Sequence, residues 1–161
     1  MTSPIPAKLL AYQFGVTVGA LGVNLEGISD EESRRRPPHG GNSIHWTLGH
    51  IVSYRQVVLE LLGESPVWPK ARTEAYGRGS SGDVPAEHIL TLSQLMEDLQ
   101  ATTPEIVRCL EALPAETLEA PGPNPKQTLG QRLAFLAFHE SYHAGQIGLL
   151  RRLAGKPGAI R

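Results

Sequence analysis

Apolar residues recur every three or four positions along most of this chain, which is the spacing of an amphipathic helix. The spacing predicts four helical segments, and no stretch of useful length shows the alternation that is typical of a strand. The first predicted helix extends from about Pro6 to Ile28. Its apolar stripe consists of Leu10, Phe14, Val18, Leu21, Leu25 and Ile28.

Turn-forming and capping residues set the bounds of the second and third predicted helices. The second begins at Asn42 or Ser43, both good N-cap residues, and ends at Gly63, which suits the position after a helix. The third extends from about Ala86 to Leu113. Because Pro104 lies inside this segment, we expect a kink or a split just before the proline.

The fourth predicted helix has the clearest boundaries. Thr128 and Gln131 match a capping box at its start, and Gly155 followed by Pro157 marks its end. Two histidines and a glutamine occupy positions that the periodicity assigns to the interior. The predicted interior stripe consists of Leu129, Leu136, His139, His143, Gln146, Leu150 and Leu153.

Four helices without strands favour an all-α fold, a four-helix bundle formed by one domain over residues 1–161. The connection Gly63–Pro85 is long and rich in Gly, Ser and Pro. Roughly 20 residues can span ~65 Å when extended, so the third helix can start from the same end of the bundle as the second. We therefore expect a long crossover between these two helices, and connections of this length often have a function.

The composition excludes several classes of function. The 161 residues are 40% hydrophobic, enough for a core, and the net charge of −1 provides no basic surface for bulk nucleic-acid binding. The single cysteine, Cys109, cannot form an internal disulfide and fits a reducing compartment. No segment approaches the ~18 unbroken apolar residues of a membrane span. We therefore expect a cytoplasmic protein without a membrane or nucleic-acid partner.

The most informative motif is the run His139-Glu140-Ser141-Tyr142-His143. Residues four apart lie on one face of a helix, so both imidazoles can reach a single metal ion. The run also matches H-E-x-x-H, in which the Glu is the general base of a zinc protease. That motif needs a further ligand downstream, and the residues after His143 include no His, Asp, Glu or Cys. The third ligand is therefore expected upstream.

His50 is the best candidate for this third ligand, because it flanks the apolar stripe of the second predicted helix. His45, at the start of the same helix, is the alternative. Metal sites in helix bundles use side chains from facing helices in this way. Three imidazoles would leave a position open for water or substrate, as catalytic sites do. Without a metal, three buried histidines would leave several ring nitrogens without partners.

Two further residues are weaker candidates for a catalytic role. Tyr54 lies one turn after His50 and could donate a hydrogen bond to an anionic intermediate, although a core or rim tyrosine is the simpler interpretation. Gln146 lies one turn after His143 on the same face. It could bind substrate or water, or it could cap a polar pocket.

The charged residues near the motif have simpler interpretations. Glu140 could accept a hydrogen bond from a ligand histidine, but we expect a carboxylate on the helix surface. Arg55, Arg72 and Arg78 could anchor an acidic cofactor, but we expect solvated arginines. Nothing near Cys109 in the sequence indicates a lowered pKa, so an unreactive core or interface thiol is expected.

The segments Asn42–Ile51 and His139–Ile147, together with Thr128 and Leu149–Gly155, resemble the DinB superfamily, the DinB/YfiT-like group. The first segment contains Gly-His in the second helix, and the other contains H-x-x-x-H followed by x-Gly-Gln. The resemblance implies a four-helix bundle with a long crossover between helices two and three. It also implies that the chain is a homodimer, as members of this group often are.

The resemblance further implies a divalent metal ion, commonly nickel, zinc or iron, held by His50, His139 and His143. Where activity is known in this group, it often uses a low-molecular-weight thiol such as bacillithiol, mycothiol or glutathione. We therefore expect a metal-dependent enzyme with a small-molecule substrate, and a thiol S-transferase before other reactions. A metal-dependent hydrolase and a non-catalytic, stress-related metal-binding protein are the alternatives.

Overall fold

Helices account for all of the regular structure that the computed structural model describes, which covers residues 5–160. Within that range there are seven helices and no strand. The helices are α1 (Ala7–Leu25), α2 (Asp30–Arg34), α3 (Ile44–Leu61), α4 (Lys70–Ala75), α5 (Leu92–Ala112), α6 (Ala115–Glu119) and α7 (Leu129–Leu153). None of these helices is long and apolar enough to cross a membrane.

The four long helices, α1, α3, α5 and α7, pack against one another around two apolar clusters. Both α1 and α3 contact α5 and α7. One cluster joins the C-terminal parts of α1 and α7 to the N-terminal parts of α3 and α5, and the other joins the opposite ends. Since α3 and α5 consequently run in the same direction, residues 62–91 must pass from one end of the helices to the other. The first cluster includes Leu21, Leu48, Ile51, Leu95, Leu99 and Ile147. The second cluster includes Leu10, Phe14, Val58, Ile106, Leu133 and Leu136.

Several predicted helix ends are confirmed by their capping contacts. Ser43, one of the two expected caps, accepts a hydrogen bond from an amide of the first turn of α3. Thr128 and Gln131 form the expected capping box of α7. Gly63 and Gly155 follow α3 and α7 with φ angles of 84° and 79°, in the left-handed region where glycine carries no steric cost.

The first predicted helix ends sooner than expected, because α1 stops at Leu25 and not at Ile28. A second, short helix that the periodicity did not predict follows directly. Ser29 and Glu32 form a capping box at its start, which is a signature that could have been found in the sequence.

The predicted start of the third helix is wrong, because α5 begins at Leu92 and not at about Ala86. The carbonyl group of Leu90 accepts hydrogen bonds from side chains of α2 and α3, which holds the chain in a non-helical connection up to this point. Thr91 and Gln94 then form a capping box that starts the helix. Of the apolar residues just before residue 91, Leu90 packs against the first cluster from this connection, whereas Ile89 is 37% exposed.

Pro104 does not split α5, which continues from Leu92 to Ala112. A proline in a helix removes one backbone hydrogen bond and crowds the preceding turn. In α5 the carbonyl of Leu99, in that turn, accepts hydrogen bonds from the hydroxyls of Thr102 and Thr103 and from Arg55 of α3. The carbonyl that loses its helical partner to Pro104 is that of Gln100, and these contacts on the neighbouring carbonyl hold the turn before the proline against α3.

The buried face of α7 is rotated relative to the predicted stripe. Leu153 is 62% exposed, so the prediction is wrong at this end of the helix. Leu133, Ala144 and Ile147 are buried instead. The histidines of the motif consequently lie at the edge of the buried face and are partly exposed, which leaves them accessible from solvent.

Candidate metal centre

Three histidines from two helices meet between α3 and α7. One ring nitrogen of each of His50, His139 and His143 lies within 4.8 Å of the others. The ring centroid of His50 is 5.1 Å from that of His139 and 4.8 Å from that of His143. His50 is buried, whereas the other two are partly exposed. The three side chains could hold one metal ion with an open side toward solvent, and their role as ligands stays a prediction.

His50 is held in one orientation by the connection that follows α3. Its Nδ1 lies 2.6 Å from the carbonyl oxygen of Tyr76, and because a carbonyl only accepts, Nδ1 carries the hydrogen. The lone pair of Nε2 is then available to a metal. The ring of Trp46 stacks on His50 at 4.7 Å and 16°, which fixes the plane of the imidazole. Metal-bound histidines usually donate their other ring N–H to a carbonyl or carboxylate in this manner.

Gly49 allows the Tyr76 carbonyl to reach His50. A Cβ on Gly49 would lie 2.2 Å from two ring atoms of Tyr76, so only a residue without a side chain fits beneath the ring. Tyr76 is itself fully buried. Sequence reasoning missed this contact, although the glycine directly before His50 was a visible signal.

The contacts of His139 and His143 fit a bound cation. His143 donates from Nδ1 to Oε1 of Gln146 over 2.7 Å, so its Nε2 also presents a lone pair. That Nε2 lies 3.0 Å from Nε2 of His139, close to the separation of about 3.3 Å expected for two ligands of a tetrahedral zinc ion. Without a metal, Nε2 of His139 can donate a hydrogen bond to this lone pair; with the hydrogen on Nδ1 instead, both Nε2 lone pairs would face one cation. Among residues 5–160, Nδ1 of His139 has no hydrogen-bond partner despite its burial.

The three imidazoles are neutral at physiological pH, which is the form that binds a metal. Burial lowers the pKa of His50, His139 and His143 below the usual value. The effect is largest for His139, where burial, repulsion from His143 and His50 when these are protonated, and the charge of Arg132 lower the pKa to about 4. A metal ion therefore does not have to displace protons at neutral pH.

Tyr54 and Gln146 both lie beside the histidine cluster. The ring of Tyr54 is 4.2 Å from that of His139 and 4.8 Å from that of His50. The side chain of Tyr54 therefore lies at the rim of the cluster. Gln146 hydrogen-bonds His143, which makes it a residue that orients a ligand. A catalytic role for either residue stays a prediction.

His45, the alternative ligand, lies outside the cluster. It is 3% exposed and donates from Nε2 to the carbonyl of Leu90 over 2.7 Å. The hydrogen bond ties α3 to the start of α5. His45 is therefore a buried structural histidine with a satisfied donor.

The expectations for Arg55 and Glu140 are wrong, because both side chains are buried and paired. Arg55 is 1% exposed and Glu140 is 3% exposed. Two parallel hydrogen bonds of 2.8 and 2.7 Å join the guanidinium to the carboxylate. A buried charge is tolerated only when it is paired and hydrogen-bonded, and this partner is distant in the sequence.

Cys109 lies in a second group of potential ligands, with Glu64 and Glu105. Arg108 already occupies this group, since its guanidinium hydrogen-bonds both carboxylates and the thiol. Burial and the contact with Glu64 raise the pKa of the Cys109 thiol. These contacts agree with the expectation of an unreactive thiol.

Comparison with known proteins shows the fold and the family of the chain. The chain is similar to a conserved protein from Enterococcus faecalis whose crystal structure superposes with a TM-score of 0.74. The two sequences are 18% identical, and the similarity covers 96% of this chain and 100% of that one, so it shows the fold alone. No curated protein matches the sequence. Residues 20–147, which include the whole histidine cluster, match the sequence profile of the DinB superfamily. The chain therefore belongs to the DinB superfamily.

Proposed function

We propose that this protein is a metal-dependent enzyme whose divalent ion is held by His50, His139 and His143. The four long helices would form a bundle with the metal between α3 and α7. The observation that carries the proposal is the convergence of three neutral imidazoles on one point at the edge of the core. The donor set suits zinc, nickel or iron.

The residues around the cluster would prepare it for a ligand. Tyr76 and Gln146 fix the tautomers of two histidines, so that Nε2 of each faces the cluster. Three protein ligands leave a coordination position open, and a bound divalent ion lowers the pKa of a thiol or water toward neutrality. Tyr54 stands at the rim beside His139, where its hydroxyl could donate to a substrate anion.

The charges around the cluster favour an anionic ligand. Three neutral imidazoles do not compensate the charge of a divalent ion, and the carboxylate of Glu140 is already paired with Arg55. Arg132 lies two turns before His139 on α7 and stacks over the ring of Phe135 at 5.5 Å. No ion pair is formed by Arg132 within residues 5–160. A thiolate substrate matches this excess of positive charge.

The reaction we propose is transfer of a low-molecular-weight thiol to a small electrophile, in the cytoplasm. In a test, the protein loaded with zinc, nickel or iron is mixed with 1-chloro-2,4-dinitrobenzene and glutathione, bacillithiol or mycothiol. The thiolate sulfur forms a bond to the ring carbon, and chloride leaves. The proposal predicts turnover with at least one thiol, above the rate with free metal and above that of His143→Ala.

Two other results would replace this proposal with one of its alternatives. Hydrolysis of p-nitrophenyl acetate that needs the metal but no thiol would identify a hydrolase. A full equivalent of metal without turnover of either substrate would leave a non-catalytic metal-binding protein.

An exposed apolar surface on α1 and α7 supports a homodimer. Three of its eight side chains are aromatic, with roughly 150–250 Å² each, and every one of the eight is between 44% and 70% exposed, so the surface is comparable in area with the roughly 800 Å² per partner of a standard interface. Only one charged residue, Lys8, lies on α1, so the α1 part of this surface on a second copy would meet little charge repulsion. The surface consists of Leu9, Tyr12, Val16, Val23, Phe138, Tyr142, Leu149 and Leu153.

The dimer is tested by analytical ultracentrifugation of Leu149→Glu. We expect a dimer for the wild type and a monomer for this variant, because a charge would be buried at the centre of the interface. Ile89→Glu introduces the same charge at a partly exposed site away from this surface and should leave the dimer intact. A monomeric wild type would contradict the homodimer.

A further inference from the structure

The buried pair of Arg55 and Glu140 lies directly behind the histidine cluster. Glu140 follows His139 in α7, and Arg55 lies in α3 within two turns of His50. Nε of Arg55 donates to one carboxylate oxygen over 2.8 Å, and Nη2 donates to the other over 2.7 Å. The pair is therefore a bidentate contact between α3 and α7, the two helices that carry the histidines.

The other donors of Arg55 reach the two remaining long helices. Nη1 donates to the carbonyl of Leu99 over 3.0 Å and to the hydroxyls of Thr102 and Thr103 over 3.0 and 2.7 Å, all in α5. Nη2 also donates to the carbonyl of Phe14 in α1 over 3.1 Å. One side chain of α3 thus hydrogen-bonds α1, α5 and α7.

Such a pair is not explained by stability alone. Removing two charges from water is costly, and apolar residues of similar volume often replace a buried ion pair without loss of stability. The contact differs from apolar packing in its geometry. Leucine and valine side chains tolerate a shift of one helix along another, whereas a bidentate fork is satisfied in one alignment only.

The alignment of α3 with α7 decides whether the histidines meet. His50 comes from one helix and His139 with His143 from the other, so a shift along the helix axis would separate the first from the pair. A shift of one residue, about 1.5 Å along a helix, is large compared with the tolerance of metal–nitrogen distances, which is about 0.2 Å.

We propose that Arg55 and Glu140 are positioning residues that fix the alignment of α3 with α7 and thereby build the three-histidine site. This inference rests on the proposed metal site, but the alignment itself exists in the metal-free protein. The pair acts through the histidines, since its own donors and acceptors are used within the core.

The test replaces the pair by apolar residues in the double variant Arg55→Met/Glu140→Leu. We expect metal-free protein that unfolds in urea at a similar or higher concentration than the wild type. We expect zinc affinity, measured by competition with a chelator, to fall by about tenfold or more, as it does when supporting contacts of ligands are lost. The visible spectrum of the cobalt-substituted protein should change as well, because the ligand geometry changes.

Two further variants separate positioning from stability. Arg151, in α7, is a second buried arginine, and it donates to backbone carbonyls of residues 24, 26 and 157. Arg151→Met should lower the stability and leave zinc affinity unchanged. Arg55→Lys keeps the positive charge but removes the two parallel hydrogen bonds to the carboxylate, and it should weaken zinc binding. This variant provides the test if the double variant fails to fold.

A readout without metal distinguishes failure of this inference from failure of the proposed function. The rings of Tyr54 and His139 are 4.2 Å apart and should give nuclear Overhauser contacts in the metal-free wild type that are lost in the double variant. Persistence of these contacts, or wild-type zinc affinity with an unchanged cobalt spectrum, would overturn the positioning role. If the wild type binds no metal but the double variant still loses these contacts, the metal site would be overturned and the positioning role would stand.

Discussion

Replacing Gly49 by alanine should weaken metal binding without changing a ligand. An added Cβ would lie 2.2 Å from Cδ1 and Cε1 of Tyr76 and 2.9 Å from Cγ. Carbon atoms in contact prefer about 3.5–4.0 Å, so the ring would have to move by at least ~1.3 Å. The ring is fully buried, which means that the backbone of residue 76 must move with it.

The movement would break the hydrogen bond that orients His50. Its Nδ1 is now 2.6 Å from the Tyr76 carbonyl oxygen, and N–H···O bonds weaken beyond about 3.2 Å. Loss of such a supporting contact typically lowers metal affinity by about 10–100-fold. Overpacking costs about 1–3 kcal/mol, and alanine regains about 1 kcal/mol of helix propensity. The free energy of unfolding of the metal-free variant should therefore fall by only about 0–2 kcal/mol.

The assay is zinc affinity by competition with a chelator, together with urea unfolding of the metal-free protein. Gly15→Ala is the control, because within residues 5–160 a Cβ on Gly15 meets no atom within 4 Å apart from its chain neighbours and the backbone of its own helix. The control should gain up to about 1 kcal/mol in stability and keep its zinc affinity. A folded Gly49→Ala protein with wild-type zinc affinity would refute the role assigned to the Tyr76 carbonyl.

Three further results are expected. The stability of the metal-free protein should fall as the pH drops from about 6.5 to about 4, the pKa to which His139 is lowered, because the unfolded chain binds protons that the folded chain excludes; urea unfolding at a series of pH values measures this fall. Arg132→Gln should weaken binding of mercaptoacetate to the cobalt-substituted protein severalfold, as measured by visible absorption, and it should weaken binding of 2-mercaptoethanol less, because the bound thiolate of that compound carries no additional carboxylate. Thr91→Ala should lower the free energy of unfolding by about 1 kcal/mol through loss of the capping box of α5, a loss that Thr91→Ser should largely avoid.

The parts that followed from the sequence are those governed by local rules. The spacing of His139 and His143 placed both on one face of a helix, and the capping box of Thr128 and Gln131 fixed the start of that helix. The same rule applied to Thr91 would have corrected the start of α5. The apolar residues before Thr91 obscured this capping box, because apolar residues occur at similar spacing in a helix and in a connection that packs against the core.

The parts that did not follow depend on contacts between distant residues. Arg55 and Glu140 are 85 positions apart, and a charged residue is expected at the surface until its buried partner is known. Tyr76 lies in a connection whose apolar residues show no periodicity. It orients His50 through its backbone carbonyl, and because every residue has such a group, the identity of residue 76 does not reveal the contact. The glycine directly before His50 indicates a close approach of another part of the chain, but it does not indicate which residue makes that approach.

The central claim, a metal site formed by three histidines, is tested most directly by elemental analysis of protein purified without a histidine tag. The wild type should contain about one equivalent of zinc, nickel or iron per chain after reconstitution. His50→Ala and His143→Ala should lose the metal, and His45→Ala, which removes a buried histidine outside the cluster, should retain it. A wild type that holds no metal after reconstitution with all three ions, or variants that retain it, would contradict the account.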